Sequence, residues 1–184
     1  MRDWKIDSTW TLFLDRDGVI NERIIGGYIK TIDEFHFIDG TEKAIAYFSQ
    51  LFSNIFVVTN QQGIAKKIMS ERNLLEIHDY MIVELEKQKG KLTKCYFAPG
   101  LKNESNSIRK PNIGMGLLAK NDFPEIVFEK SIMIGDTDSD IQFGKNLGMK
   151  TVRIKTQEPI NIDADLTCLS LIEFSKIISL SYEK

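Results

Sequence analysis

The sequence has few of the features that build disulfide frameworks, membrane spans or nucleic-acid surfaces. It contains only two cysteines, Cys95 and Cys168, each alone within an apolar run. No apolar stretch approaches the roughly 18 residues of a membrane span, and the N-terminus lacks an apolar signal core. The formal net charge is -2, which gives no general attraction to nucleic acid. We therefore expect a cytoplasmic protein with reduced thiols that binds neither nucleic acid nor membrane.

The sequence does contain a regular alternation of short apolar runs and segments with helical spacing. Continuous apolar runs, typical of buried parallel strands, lie at residues 9–15, 54–60, 92–98, 130–136 and 150–155. Helices are predicted over 39–52, 71–90, 114–123 and 139–148, and a short strand and a helix within 164–180. This order predicts an α/β fold, a doubly wound, mainly parallel, Rossmann-like sheet that forms a single domain over residues 1–184.

Residues 22–37 match neither spacing, and they predict a small hairpin or flap over one edge of the sheet. The oligomeric state stays open, with a monomer among the options.

Polar side chains follow four of the predicted strands. In chain order they are Asp15 and Asp17, then Thr59 and Asn60, then Arg109 and Lys110 beyond a polar loop, and finally Asp136 and Asp140. Ligands of open α/β sheets bind at the carboxyl ends of the strands, so these groups should converge. Each motif alone is more simply a turn or a helix cap, but together the four indicate a site.

The composition of this site points to phosphate chemistry. Clustered carboxylates repel each other unless a cation shares the site, and hard oxygen ligands suit Mg²⁺ together with a substrate phosphate. A lysine and a threonine hydroxyl suit phosphate oxygens. One carboxylate could attack phosphorus, and a second, two residues on, could act as general acid and then general base.

Four motifs carry a family resemblance: FLDRDGVIN, VVTNQQGI, RKP and MIGDTDSDI, in that order. With them the chain resembles the haloacid dehalogenase superfamily of aspartate-nucleophile phosphatases. The stretches GYI, FHFIDG, NQQGIA and RKPNIGM are similar to the branch that holds heptose 1,7-bisphosphate phosphatases and histidinol-phosphate phosphatases. The resemblance covers residues 10–155.

The resemblance implies a role for each candidate residue. Asp15 would be the nucleophile and a metal ligand, and Asp17 the general acid-base, with its carbonyl on the metal. Thr59 and Asn60 would hold the phosphoryl group, and Lys110 would neutralise its charge. Asp136 would be the second carboxylate on Mg²⁺, while Asp140 would support the ligands from outside. Arg109 would contact the substrate beyond the phosphoryl pocket.

Two departures from the wider family are expected to affect access to the site and metal content. The intervals between the motifs are too short for an inserted cap domain, so the site should be open. Many members of the branch bind structural zinc through Cys-x-His and Cys-x-Cys pairs before the Arg-Lys-Pro motif. Here those places hold Ala98, Gly100, Asn106 and Ile108, so no structural zinc is expected.

The sequence therefore predicts a Mg²⁺-dependent phosphatase of a small sugar phosphate that works through an aspartyl phosphate. Heptose 1,7-bisphosphate, at its 7-phosphate, is the first substrate considered. Histidinol phosphate and other small metabolites are the alternatives. An alternative from another class is a receiver-type signalling module, which also groups aspartates, a threonine and a lysine at a sheet edge. Its phosphoacceptor follows the third strand, where this chain reads YFAPG.

Overall fold

The computed structural model describes residues 4–102 and 108–182. Its strands are β1 (Thr11–Leu14), β2 (Asn54–Asn60), β3 (Lys94–Ala98), β4 (Ser131–Gly135), β5 (Lys150–Ile154) and β6 (Leu166–Cys168). All neighbouring pairs are parallel, and the order across the sheet is β3-β2-β1-β4-β5-β6. The predicted α/β fold with a parallel sheet is confirmed.

The helices are α1 (Thr41–Leu51), α2 (Glu71–Lys87), α3 (Gly114–Asp122), α4 (Asp138–Asn146) and α5 (Leu171–Tyr182), with short 3-10 turns at Ile32–Glu34 and Phe128–Lys130. Helices α1, α2 and α5 pack on one face of the sheet, and α3 and α4 on the other. This is the doubly wound arrangement that the sequence predicts, with each predicted helix present. Among the described helices, none has both the length and the apolar character needed to cross a bilayer.

The apolar spacing of the sequence explains how the layers pack. In β1, Leu12 and Leu14 enter the core on one face, and Phe13 enters the core on the other. Helix α2 buries the stripe that its spacing predicts, Leu74, Ile77, Met81 and Leu85. Burial of each such side chain contributes about 1.5–3 kcal/mol of transfer free energy. The stripe therefore fixes α2 against the sheet and so fixes the loop that precedes it.

The order of the strands locates the functional edge. Chain winding reverses between β1 and β4, which are hydrogen-bonded neighbours. Ligands of such sheets bind at this switch point, and β1 and β4 deliver Asp15 and Asp136 there. Receiver modules have the flavodoxin-like order 2-1-3-4-5, so the observed order argues against that alternative.

Residues 22–37 form a flap beside this edge. Its two ends are joined at the neck, where Glu22 N donates to His36 O (2.8 Å) and Ile38 N donates to Ile20 O (3.0 Å). Asn21 and Phe37 form an antiparallel bridge at the same place. Near the tip, Lys66 Nζ donates to Tyr28 Oη at 3.1 Å, which joins the flap to the loop after β2.

Candidate active site

Lys110 lies at the centre of the polar residues. Its buried ammonium group donates to Asp15 Oδ1 (2.8 Å) and to Val58 O (2.6 Å), and it pairs with Asp140 Oδ1 (2.6 Å). These three acceptors match the three N–H donors of a lysine. Burial lowers the pKa of Lys110, but Asp140 and Asp15 outweigh it, and the pKa lies above its usual value. The side chain is therefore a fixed positive charge.

Asn60 positions Lys110 through its backbone. Asn60 Oδ1 accepts from Lys110 N (2.9 Å), and Asn60 Nδ2 donates to Lys110 O (3.1 Å). The amide thus holds both main-chain groups of a residue that lies 50 positions later. Contact between Asn60 and a phosphoryl group stays a prediction. The neighbouring Thr59 hydroxyl accepts from Gln61 Nε2 (2.9 Å) and lines the cavity described below.

Three buried carboxylates meet beside Lys110. One oxygen from each of Asp15, Asp136 and Asp140 lies within 4.8 Å of the others. Burial raises the pKa of Asp15 to about 7, with Lys110 opposing and the neighbouring carboxylates adding to the rise. Burial and Asp140 raise the pKa of Asp136 to about 6, and Arg23 opposes this rise. Such a cluster is relieved when a cation enters it.

Asp136 also has an oxygen suited to a cation. Its Oδ1 atom is buried and has no hydrogen-bond partner among the described residues. A buried, unpaired carboxylate oxygen is costly unless it binds something. Hard oxygen donors of this kind fit Mg²⁺. The side chains of Asp15 and Asp136 therefore fit the predicted metal.

Asp140 has both of its oxygens in use. Oδ2 accepts from Thr137 N (3.0 Å) and Thr137 Oγ1 (2.6 Å), which caps the start of α4, while Oδ1 pairs with Lys110. Gly135 makes this approach possible, because a Cβ there would lie 2.0 Å from Asp140 Cβ. These contacts favour a supporting role for Asp140, as the resemblance implies, and they also make it part of the capping box of α4, in which Thr137 is the N-cap.

Asp17 is held by donors from three residues. Arg16 Nη2 lies 2.9 Å from each carboxylate oxygen, Asn21 Nδ2 donates at 3.0 Å and Gln61 Nε2 donates at 2.9 Å. Burial raises the pKa of Asp17, but Arg16 and these hydrogen bonds outweigh burial and keep the pKa below its usual value. The acid-base candidate is therefore a carboxylate in this arrangement.

Arg16 is itself fully buried, and its other nitrogen faces α2. Arg16 Nη1 lies 3.4 Å from His78 Nε2. Burial, with the charge of Arg16 added, lowers the pKa of His78 to about 3. His78 is thus a neutral imidazole that can accept from the guanidinium. The basic residue between Asp15 and Asp17 therefore has a structural role: Arg16 holds the Asp17 carboxylate in place.

A cavity of about 350 Å³ opens over these groups. It is lined by residues of the flap, the loop after β2 and the start of α4, and by seven of the predicted residues: Asp15, Asp17, Thr59, Asn60, Arg109, Lys110 and Asp140. Asp136 is not part of this lining but lines an adjoining hollow, and one of its oxygens lies within 4.8 Å of an oxygen of Asp15. The structure thus brings all the predicted site residues together at one sheet edge.

Other residues of the site were not predicted. Gln61 lies inside a quoted motif, but its bonds to Asp17 and Thr59 depend on three-dimensional placement. Arg153 is a charged residue within a predicted buried strand. A charge at such a position indicates a specific partner and could have identified Arg153 from the sequence. Its guanidinium donates to Asp136 O (2.9 Å) and Asp138 Oδ1 (2.6 Å). Arg23 of the flap pairs with Asp136 (3.1 Å) and has no signal in the sequence.

The predicted loss of a zinc site concerns residues 98–108. Ala98, Gly100 and Ile108 lie at three of the four ligand places and offer no zinc-binding side chain. The fourth place, Asn106, lies outside the described residues. The absence of zinc therefore stays a prediction.

Comparison with known proteins places these features in a family. The family model for HAD-hydrolase-like proteins matches residues 107–159. The chain is 41% identical over 150 residues to D-glycero-alpha-D-manno-heptose-1,7-bisphosphate 7-phosphatase of Campylobacter jejuni, covering 82% of this chain and 84% of that protein. It is 33% identical over 178 residues to the D-glycero-beta-D-manno-heptose-1,7-bisphosphate 7-phosphatase of Haemophilus influenzae, covering 91% and 95%.

Solved structures show the same fold. The D,D-heptose 1,7-bisphosphate phosphatase of B. bronchiseptica, complexed with magnesium and phosphate, superposes with a TM-score of 0.83. Its sequence is 22% identical, and the match covers 93% of this chain and 98% of that one. The predictions of a phosphoric monoester hydrolase and of its superfamily are confirmed. The chain belongs to the heptose-1,7-bisphosphate 7-phosphatase family of haloacid dehalogenase-like hydrolases.

Proposed function

We propose that this protein removes the 7-phosphate from D-glycero-D-manno-heptose 1,7-bisphosphate, as a single domain in the cytoplasm. Two findings together support the proposal. Relatives named for that activity match most of the chain. Asp15, Lys110 and Asp136 lie together at the switch point of the sheet. Both cysteines are free thiols, which supports a reducing compartment.

The reaction begins at Asp15. One carboxylate oxygen attacks phosphorus, and the bond between phosphorus and the sugar oxygen breaks as the aspartyl phosphate forms. Lys110, 2.8 Å from Asp15, orients the nucleophile and offsets negative charge on the phosphoryl group. The Thr59 hydroxyl and the end of β2 line the space for the phosphoryl oxygens.

Asp17 moves the proton in both steps. The first step requires that Asp17 has taken up a proton, against its lowered pKa, and it gives this proton to the leaving sugar oxygen. In the second step its carboxylate takes a proton from water as that water attacks phosphorus, and the bond to Asp15 breaks. The contacts with Arg16, Asn21 and Gln61 favour the carboxylate, which is the form that the second step requires.

Mg²⁺ would be held by the side chains of Asp15 and Asp136 and by the main-chain carbonyl of Asp17. When bound, it would supply positive charge for the phosphoryl oxygens and for the carboxylate cluster. Asp140 and Arg153 would keep these ligands in place, Asp140 through Lys110 and Arg153 through Asp136 O.

The walls of the cavity support a small, strongly anionic substrate. Beyond the phosphoryl pocket, the lining includes the cationic side chains of Lys66 and Arg109. Tyr28, joined to Lys66, supplies an aromatic wall from the flap. A sugar that carries a second phosphate fits this mixture of charge and ring surface.

The test is a panel of phosphorylated metabolites assayed for released phosphate in Mg²⁺. It includes both anomers of heptose 1,7-bisphosphate, histidinol phosphate and an aryl phosphate. The proposal expects the largest kcat/KM for one heptose anomer, with product that retains the 1-phosphate. A larger kcat/KM for histidinol phosphate would overturn the choice of substrate, and no hydrolysis of any compound would overturn the activity.

A further inference from the structure

Arg23 lies in the flap, yet its charged end reaches the carboxylate cluster. Its Nη1 atom is 3.1 Å from Asp136 Oδ2 and 3.1 Å from Glu158 Oε1. Asp136 belongs to the turn after β4, and Glu158 belongs to the segment after β5. One guanidinium thus connects the flap with two other parts of the chain.

The two oxygens of Asp136 have different surroundings. Oδ2 accepts from Arg23 Nη1 (3.1 Å) and from Thr156 Oγ1 (3.4 Å). Oδ1 is buried and lacks a hydrogen-bond partner within the part of the chain that the structure describes. The carboxylate is therefore turned so that one oxygen is anchored and the other remains for a ligand.

The backbone at Gly18 also approaches the Asp136 carboxylate closely. A Cβ at Gly18 would lie 2.4 Å from Asp136 Oδ2, and Gly18 has a φ of +91°. Asp136 thus packs directly against the turn that follows Asp15. The ion pair with Arg23 and the close approach of the Gly18 backbone together restrict rotation of the Asp136 side chain.

We propose that Arg23 is a positioning residue for the divalent cation: it holds Asp136 Oδ2 so that Oδ1 faces the metal. The inference rests on the proposed use of Mg²⁺. Glu158 offsets the charge of Arg23, so that the guanidinium orients the ligand with less repulsion of the cation. Hydrogen bonds from outside the coordination sphere commonly change metal affinity by 10–100-fold.

The experiment measures Mg²⁺ binding directly, by calorimetry of the full chain without substrate. Arg23→Gln should weaken the affinity by about 10-fold, and Arg23→Lys, which keeps a donor and a charge, should restore part of it. Arg72→Gln is the matched control, because Arg72 is an exposed arginine on α2 that pairs with Glu76 of the same helix. It should bind Mg²⁺ as the wild type does.

A kinetic readout separates positioning of the metal from contact with substrate. In Arg23→Gln, the Mg²⁺ concentration for half-maximal hydrolysis of p-nitrophenyl phosphate should rise by the same factor as the dissociation constant. The KM for the aryl phosphate at saturating Mg²⁺ should stay at the wild-type value. A rise in that KM, with unchanged Mg²⁺ affinity, would assign Arg23 to the substrate and overturn the inference.

Failure of the inference is distinct from failure of the proposed metal site. Wild-type protein that binds no Mg²⁺ would contradict the proposed function itself. Wild-type protein that binds Mg²⁺, together with an Arg23→Gln variant that binds equally well or more tightly, would overturn the role of Arg23 alone. Tighter binding would mean that the guanidinium competes with the cation.

Discussion

At the scale of the residue, the sequence predicts which side chains meet but not how each is held. Asp15, Lys110 and Asp136 were predicted from the ends of strands, and they do converge. The clamp of Asn60 on the Lys110 backbone and the reach of Arg23 to Asp136 were not predictable. They depend on the path of loops, which apolar spacing does not encode.

The proposed nucleophile gives the first prediction. Asp15→Asn should lower kcat for an aryl phosphate by at least about 10³-fold, because an amide oxygen is a poor nucleophile. The buried pair with Lys110 is lost in the same change, so circular dichroism must show that the variant is folded. Activity within tenfold of the wild type, in a folded variant, would remove Asp15 from this role.

The buried imidazole gives a prediction about acid stability. The pKa of His78 is about 3 in the folded chain, below its usual 6.5, so the unfolded state binds the extra proton between these values. The contribution of His78 to the free energy of unfolding is therefore fully present well above pH 6.5. It decreases on acidification, by about 2 kcal/mol down to pH 5. His78→Gln, which keeps an acceptor for Arg16, should remove that part of the slope.

Denaturant unfolding at several pH values measures the effect. His36→Gln, the same change at an exposed histidine, is the matched control. Parallel curves for the wild type and His78→Gln would show that the imidazole does not titrate as the structure indicates.

At the scale of the element, the spacing of apolar residues predicted the helices well, because the residues that a helix buries must lie on one of its faces. The α2 stripe follows from the apolar spacing of that helix, and Ser70 caps the helix, where Ser70 Oγ accepts from Asn73 N at 3.1 Å. The flap was predicted only as a hairpin or flap. It has little regular structure, and its shape depends on the neck and on the Tyr28–Lys66 contact.

The loop before Lys110 gives a prediction about metal content. Residues 98–108 offer no thiolate or imidazole, which are the groups through which structural zinc contributes folding energy. Purified protein should carry no stoichiometric zinc after dialysis, and a zinc chelator should leave Tm unchanged. Elemental analysis that finds about one zinc per chain would contradict this and would place ligands elsewhere.

At the scale of the whole molecule, a cation that binds only the folded state should raise Tm. Mg²⁺ at ten times its dissociation constant should stabilise the chain by about 1.4 kcal/mol. For a chain of this size that corresponds to a rise of about 3–6 °C in Tm. Thermal unfolding with Mg²⁺ and with EDTA measures the difference.

Variants identify where the cation acts. Asp136→Asn should abolish the Mg²⁺-dependent rise, whereas Asp163→Asn, a change at an exposed position of the β5–β6 connection, should retain it. A full rise in Asp136→Asn would show that Mg²⁺ stabilises the chain from another site.

The pairing of β1 with β4 has a consequence for how the chain matures. Thr11 pairs with Ser131, so a strand near the start of the chain gains its second neighbour only after some 120 further residues have been made. Until then, β1 is an open edge beside β2, and such edges invite aggregation during synthesis. The carboxylate cluster is also incomplete at that stage. We therefore expect no activity from the nascent chain before residues 131–136 have emerged, and we expect chaperones to bind it during that interval.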